Sequence, residues 1–310
     1  MKILITGGLG FIGYNIARKL IEEGYDIILF DNNFRNVYKQ SQIDNRMSFV
    51  FGDTSDYFVL QNIFKGGLII HCASITGIKT VDKYPIDTLY KGIEGAYNIC
   101  KLADETGSKV ILTSSAEIFG EENNKIPDEI DRYTIRKSKR WSYALSKITA
   151  EYFAYLFNLN NNLDIIVVRP FNIYGKDQNI DSAIIKFIDC AITNKPIPIF
   201  KPGTQVRAWC YIDDYVDAIR LLIDKGESGK CYSVGNPKEP TNLINLGNII
   251  SNLVGCNYNY TLLDYNDIDP QYRVPNISLL SDLGFTPKVT LEKGIKEIIN
   301  YRLNLYNKQI

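Results

Sequence analysis

Through the first half of the chain, short and uniformly apolar runs alternate with longer stretches whose apolar residues recur every three or four positions. Runs without polar alternation suit strands buried on both faces of a parallel sheet, and the stretches between them suit helices packed on those faces. The runs predict strands at Lys2 to Thr6, Asp26 to Asp31, Met47 to Phe51, Leu68 to His71, Lys109 to Thr113 and Asp164 to Arg169. A helix is expected from Tyr14 to Glu23. Another follows Pro85, where Leu89, Ile93, Ala96, Tyr97 and Cys100 keep helical spacing, and Gly107 closes it.

Beyond about Ile173 the alternation gives way to segments punctuated by Pro and Gly, such as Lys195-Pro196-Ile197-Pro198 and Lys201-Pro202-Gly203. The expected architecture is α/β: a doubly wound parallel sheet over residues 1–172 and a smaller mixed α/β domain over 173–310. A strand near 229–235, centred on Cys231 to Val234, returns to the first sheet, so the two domains interleave. The asparagine runs Asn123-Asn124 and Asn160 to Asn162 read as surface loops, and there is no internal repeat.

Composition narrows the class. With 45% hydrophobic and 23% charged residues in 310, the chain can bury a large core and is not a disordered or fibrous sequence. Its 35 basic and 35 acidic side chains cancel, which leaves no global field to draw in nucleic acid or an anionic membrane. An anionic ligand must therefore be gripped locally. Six cysteines without a Cys-x-x-Cys pair argue for free thiols rather than disulfides or zinc. The first strand begins at Lys2, leaving no room for a cleavable signal, and no apolar run reaches the roughly 20 residues that span a bilayer. A cytoplasmic protein without membrane, nucleic-acid or metal partners is expected.

Gly7-Gly8-Leu9-Gly10-Phe11-Ile12-Gly13 lies between the first strand and its helix. Gly7 suits a tight turn, Gly10 a close backbone approach to a pyrophosphate, and Gly13 close helix–strand packing, while the helix N-terminus offers unpaired N–H groups to the phosphates. Asp31, at the end of the second strand, can accept hydrogen bonds from both adenosine ribose hydroxyls and repel a 2′-phosphate, which favours NAD over NADP. Arg35 nearby reads as a solvated loop residue or as a partner for such a phosphate. Asp53 reads as facing the adenine amino group or as part of a simple turn.

Tyr143 and Lys147, four apart on a predicted helix, project from one face. An ammonium beside a phenol, together with a positive nicotinamide ring, favours the phenolate and so supplies a base for a sugar hydroxyl. In a chain with 21 tyrosines the spacing alone carries little weight. Ser114-Ser115 and Glu117 follow the fifth strand at the carboxyl edge of the sheet, where ligands of such folds bind. Ser115 reads as a bridge between Tyr143 and substrate, or as a helix cap.

Taken together, the glycine loop, Asp31, Asp53, Ser114-Ser115, Tyr143-x-x-x-Lys147 and Arg169-Pro170-Phe171-Asn172-Ile173-Tyr174-Gly175 resemble the extended short-chain dehydrogenase/reductase family of nucleotide-sugar epimerases, dehydratases and decarboxylases. The resemblance covers nearly the whole chain. It implies a Rossmann domain holding NAD, a C-terminal domain holding a nucleotide-diphosphate sugar, and a homodimer built on two helices per subunit. It extends the cofactor site to Phe11, Ile12, Asn32, Thr54, Ala73, Ser74 and Ser114, with Tyr143 and Lys147 at the nicotinamide end. Asn172, Arg207 and Arg273 match family positions that bind substrate, the two arginines at its diphosphate. His71, the single histidine, matches a turn beside the cofactor.

Departures from the family pattern bear on the reaction. Gly92 stands where the family commonly has asparagine. Ala116 replaces the aspartate usual in 4,6-dehydratases, which argues against eliminating water. Glu117 matches a glutamate found in the dehydratases and in the UDP-glucuronate decarboxylases and reads as a catalytic residue or as a buried structural carboxylate. The stretch from Asp269-Pro270 to Pro287 also looks decarboxylase-like, whereas Ser182 stands where plant- and animal-type decarboxylases carry arginine. C4-epimerisation through a 4-keto sugar needs only Tyr143, Lys147 and Ser115, and is the favoured reading over decarboxylation and dehydration. An NAD-binding module without catalysis is the alternative of another class, and retention of Tyr143 and Lys147 argues against it.

Overall fold

The computed structural model describes residues 1–35, 37–120, 137–178, 181–264 and 269–307. The chain runs β1 (Lys2–Thr6), α1 (Phe11–Glu22), β2 (Asp26–Asp31), β3 (Ser48–Phe51), α2 (Tyr57–Ile63), β4 (Leu68–His71), α3 (Ile78–Lys83), α4 (Pro85–Thr106), β5 (Lys109–Thr113), α5 (Trp141–Asn161) and β6 (Ile165–Pro170). It continues through β7 (Ile173–Tyr174), α6 (Ala183–Ile192), β8 (Ile197–Phe200), β9 (Val206–Arg207), β10 (Cys210–Tyr211) and α7 (Ile212–Lys225) to β11 (Cys231–Val234). After these come β12 (Thr241–Asn242), α8 (Leu243–Val254), β13 (Tyr260–Leu263), β14 (Tyr272–Arg273), α9 (Ser278–Asp282) and α10 (Leu291–Asn307).

Seven strands form one parallel sheet in the order β11-β6-β5-β4-β1-β2-β3. Strand periodicity sorts its side chains. Ile3 and Ile5 face a core shared with α1 and α7, while Leu4 and Ile69 face a second core with Ala96 and Ile99 of α4 and Ala150 and Ala154 of α5. Both faces are covered, which is why the strands read as continuous apolar runs. The order reverses between β1 and β4, and the loops leaving their carboxyl ends open a crevice there.

Five predicted strands keep their expected bounds; the other two shift by one residue, beginning at Ser48 and Ile165. The helix expected from Tyr14 starts at Phe11, because Gly10 is its N-cap and the glycine loop turns directly into it. Asn160 and Asn161 are no loop but the last turn of α5, with Asn162 as its left-handed C-cap; Asn123-Asn124 lies outside the described residues. The returning strand is β11, in register beside β6. All six cysteines are free thiols. Among the described residues no helix is long and apolar enough to cross a membrane.

Candidate active site

At the switch point lies a cavity of about 340 Å³. The glycine loop, through Gly7, Gly10, Phe11, Ile12 and Gly13, forms one wall. Gly7 sits at φ +67°, and a Cβ there would stand 2.7 Å from the Ala73 nitrogen; one on Gly13 would stand 2.3 Å from the Gly7 carbonyl oxygen. The loop is thus folded tightly enough that only hydrogen fits at either position. No side chain caps α1 at Gly10, so its first N–H groups stay available to an anion. These features fit the pyrophosphate of a dinucleotide.

Asp31 and Asn32 from β2, Asp53 and Thr54 after β3, and Ala73 and Ser74 after β4 also line the cavity. Asp31 accepts from the Leu9 and Asn33 N–H groups at 3.0 and 2.8 Å. Burial raises its pKa against the pull of those two bonds. Asp53 accepts from Ser55 N–H and Oγ on one oxygen, and from Asn32 Nδ2 and Lys91 Nζ, at 2.9 and 2.8 Å, on the other. Burial alone would raise this carboxyl, but the Lys91, Ser55 and Asn32 bonds outweigh it and hold the pKa at about 2. Those four donors fill its acceptor positions, so an adenine amino group has to displace one of them. Lys91, on α4, gave no signal in the sequence beyond its charge.

Tyr143 reaches the cavity from the first turns of α5, with Ser115 beside its phenol; the Ser115 hydroxyl accepts from the Glu117 N–H at 3.2 Å, the capping role that is its alternative reading. Lys147 lies one turn on, its Nζ 5.8 Å from the Tyr143 ring centroid and donating to the Thr113 carbonyl at 2.8 Å. Burial pushes the phenol up to about 12, with Ser115 opposing and the Glu117 charge adding to the rise. It pushes the ammonium down to about 8, with Cys72 and Glu151 opposing. The expected lowering of the phenol by Lys147 is therefore not a property of the protein alone, because desolvation prevails over the neighbouring charge.

Other expected residues lie behind the cavity wall. Ser114 is buried and its hydroxyl donates to Glu151, which also takes both Arg169 Nε (3.0 Å) and Nη2 (2.7 Å). This buried pair, one turn beyond Lys147, was missed: carboxylate and guanidinium are 18 positions apart and nothing local links them. Glu117 is clamped by Arg140, at 3.0 Å from Nε and 2.8 Å from Nη2. Burial works against its ionisation, but Arg140, Arg273 and Arg207 together bring its pKa below the ordinary value. Parallel pairing of β14 with β9 sets Arg273 opposite Arg207. Arg207 donates to Asp269 at 2.7 Å, and Arg273 to the carbonyls of Ala116 and Gly120 at 2.7 and 2.6 Å. Both guanidiniums are thus gathered, as expected for a diphosphate, yet already engaged by the protein.

Asn172 lines the cavity at φ +43° and donates to the Ala208 carbonyl at 2.9 Å. His71 bonds Thr6 Oγ1 at 2.7 Å, and burial, reinforced by the Lys147 charge, drops its pKa to about 3, so it stays neutral. Gly92 has a packing reason: a Cβ there would stand 2.7 Å from the Ser146 Cβ, where α4 meets α5. Arg35 is half-buried rather than a free surface residue. Its Nη1 donates to the Thr76 carbonyl and to Thr80.

Residues 3–235 match the model of the NAD dependent epimerase/dehydratase family. The chain is 28% identical over 316 residues to UDP-glucuronic acid decarboxylase 3 of Arabidopsis thaliana, covering 98% of this chain and 91% of that protein. It is 25% identical to dTDP-glucose 4,6-dehydratase of Haemophilus influenzae, covering 98% of each. Among solved structures, UDP-glucose 4-epimerase of Thermotoga maritima with UDP-glucose superposes with a TM-score of 0.89 at 24% identity, covering 99% of this chain and 100% of that one. UDP-glucuronic acid 4-epimerase of Bacillus cereus, in complex with UDP-glucuronic acid and NAD, gives 0.89 at 23%, with the same coverage. At such identities the structural likenesses carry the fold.

Proposed function

The chain belongs to the NAD dependent epimerase/dehydratase family, and on that premise we propose that it is a nucleotide-sugar 4-epimerase working through a transient 4-keto sugar. NAD, when bound, takes up the hydride from C4 and gives it back. The protein's own part is to hold the sugar and move one proton. Tyr143 takes the C4 hydroxyl proton, Ser115 steadies the phenol and the substrate hydroxyl, and Lys147 supplies the charge that makes phenolate accessible once the cationic ring lies nearby. Residues 1–172 with β11 form the cofactor half, and 173–310 the half that holds the sugar nucleotide. Asn172, Arg207 and Arg273 bind the substrate, its diphosphate replacing Asp269 at Arg207.

The observation that favours epimerisation is the state of the groups beside the phenol. Glu117 is held as an ion against Arg140, and Ala116 is apolar, which leaves Ser115 and Tyr143 as the groups of this cluster that carry a transferable proton. Elimination of water needs a second acid there. Loss of carbon dioxide from a β-keto acid needs little help, and the enolate it leaves can take its C5 proton from water, so decarboxylation makes no demand for a dedicated second acid. The engaged Glu117 and the decarboxylase names among the relatives favour that as the second reading.

The test is the mass of the product formed from a panel of UDP-, dTDP-, GDP- and CDP-sugars, UDP-glucuronate included. A new chromatographic peak of unchanged mass supports the epimerase. Loss of carbon dioxide replaces it with the decarboxylase, and loss of water overturns the reading of Ala116 and Glu117.

A further inference from the structure

Two loops contribute walls to the cofactor cavity. The loop after β2 brings Phe34, Arg35 and Val37, and the loop after β4 brings Cys72 through Thr76. One side chain ties them together. Arg35 Nη1 donates to the Thr76 carbonyl at 2.6 Å and to Thr80 Oγ1, on α3, at 3.0 Å. Beside it, Phe34 sets its ring edge-on to Tyr84 at the end of α3, with centroids 5.7 Å apart. The residue before and the guanidinium itself thus both cross the same gap.

We infer that Arg35 is a clasp that retains the dinucleotide between turnovers. The Nη1 of the guanidinium is committed to the opposite wall, and Asp31 stands at the place expected for the ribose. For a dinucleotide to leave, the two walls must part, and parting them breaks both bonds from a charged donor as well as the aromatic contact. α3 also carries an exposed ion pair on its other side, Lys79 with Asp181 at 2.7 Å. Retention suits a reaction that returns its hydride, since the cofactor ends each cycle as it began. That point rests on the epimerase reading. The clasp itself does not, and its test involves no turnover.

The full-length protein is loaded with radiolabelled NAD, chased with excess unlabelled NAD, and followed by the label that remains bound. Two hydrogen bonds at their ordinary net worth correspond to roughly ten- to hundredfold in the release rate. Arg35→Ala should therefore shed label at least about tenfold faster than the wild type. Thr80→Val, which removes one acceptor, should fall between them, and the double variant should be no faster than Arg35→Ala. Release from Arg35→Ala at the wild-type rate overturns the clasp, as does a Thr80→Val effect that adds in full to that of Arg35→Ala. If Arg35→Ala does not fold, Thr80→Val decides: accelerated release supports the clasp, and the wild-type rate refutes it.

Discussion

A phenol and an ammonium buried one helical turn apart are both driven towards their neutral forms, and their chemistry depends on what reverses that. In the protein alone nothing reverses it for Tyr143, so its catalytic ionisation waits for the cationic ring. Tyr143→Phe should lower turnover by about 10²–10⁴-fold while bound NAD, counted by chromatography of the denatured protein, is retained. Lys147 gives a stability signature. Its pKa falls from 10.5 in the open chain to about 8 when folded, so between those values the unfolded chain binds more protons and stability rises with pH. The gap in stability between the wild type and Lys147→Met, read from urea midpoints, should therefore shift by roughly 1–3 kcal/mol in favour of the wild type from pH 8 to pH 10. The thiols of Cys72 and Cys100, raised by burial, act in the opposite sense within that range and the phenol of Tyr143 above it, but they do so in both proteins, so the difference isolates Lys147. The identities of these residues were legible from spacing and family pattern. Their partners were not: the Glu151–Arg169 pair, Lys91 on Asp53 and Arg140 on Glu117 join positions whose proximity exists only in the folded chain.

At the scale of elements, what could be read was whatever depends on periodicity. Strands covered on both faces announce themselves as apolar runs, and β1, β2, β4, β5 and β11 begin and end where the runs do. β7, β9, β10, β12 and β14 have two residues each, too few for any period, and they exist because long-range partners such as Arg207 and Arg273 lie opposite one another. The six-residue α3 escaped for the same reason. Gly92 shows an element contact that a family comparison alone misreads. Where the family commonly has asparagine, the structure shows α4 pressed on Ser146 of α5, with no room for a side chain. Gly92→Ala should therefore destabilise the protein by about 1–3 kcal/mol, seen as a lower melting temperature. Because Ser146 neighbours Lys147, activity should fall with it. Unchanged melting would mean that the helices part without cost.

For the whole molecule, the return of β11 to the edge of the sheet beside β6 means that the chain leaves the half built on the seven-stranded sheet, builds part of the C-terminal half and comes back before finishing it. Neither half is then a contiguous segment, and cutting the chain near Ile173 would strip a strand from the sheet. The outer faces of α4 and α5 pose the remaining large-scale question. Ile86, Tyr90 and Tyr97 share one stripe of α4, and Tyr152, Tyr155 and Leu159 one stripe of α5, all exposed, with Ile86 at 81% and Tyr152 at 61%. Two adjacent helices with so much exposed aromatic and aliphatic surface suit a two-fold interface in which each patch meets its own copy. A homodimer is therefore expected, closed by these four helices. Light scattering of the purified protein should give twice the chain mass. Tyr152→Glu combined with Tyr155→Glu should bring it to one chain mass by placing like charges across the two-fold axis. A wild-type monomer, or a dimer indifferent to both glutamates, would assign those helices no part in assembly.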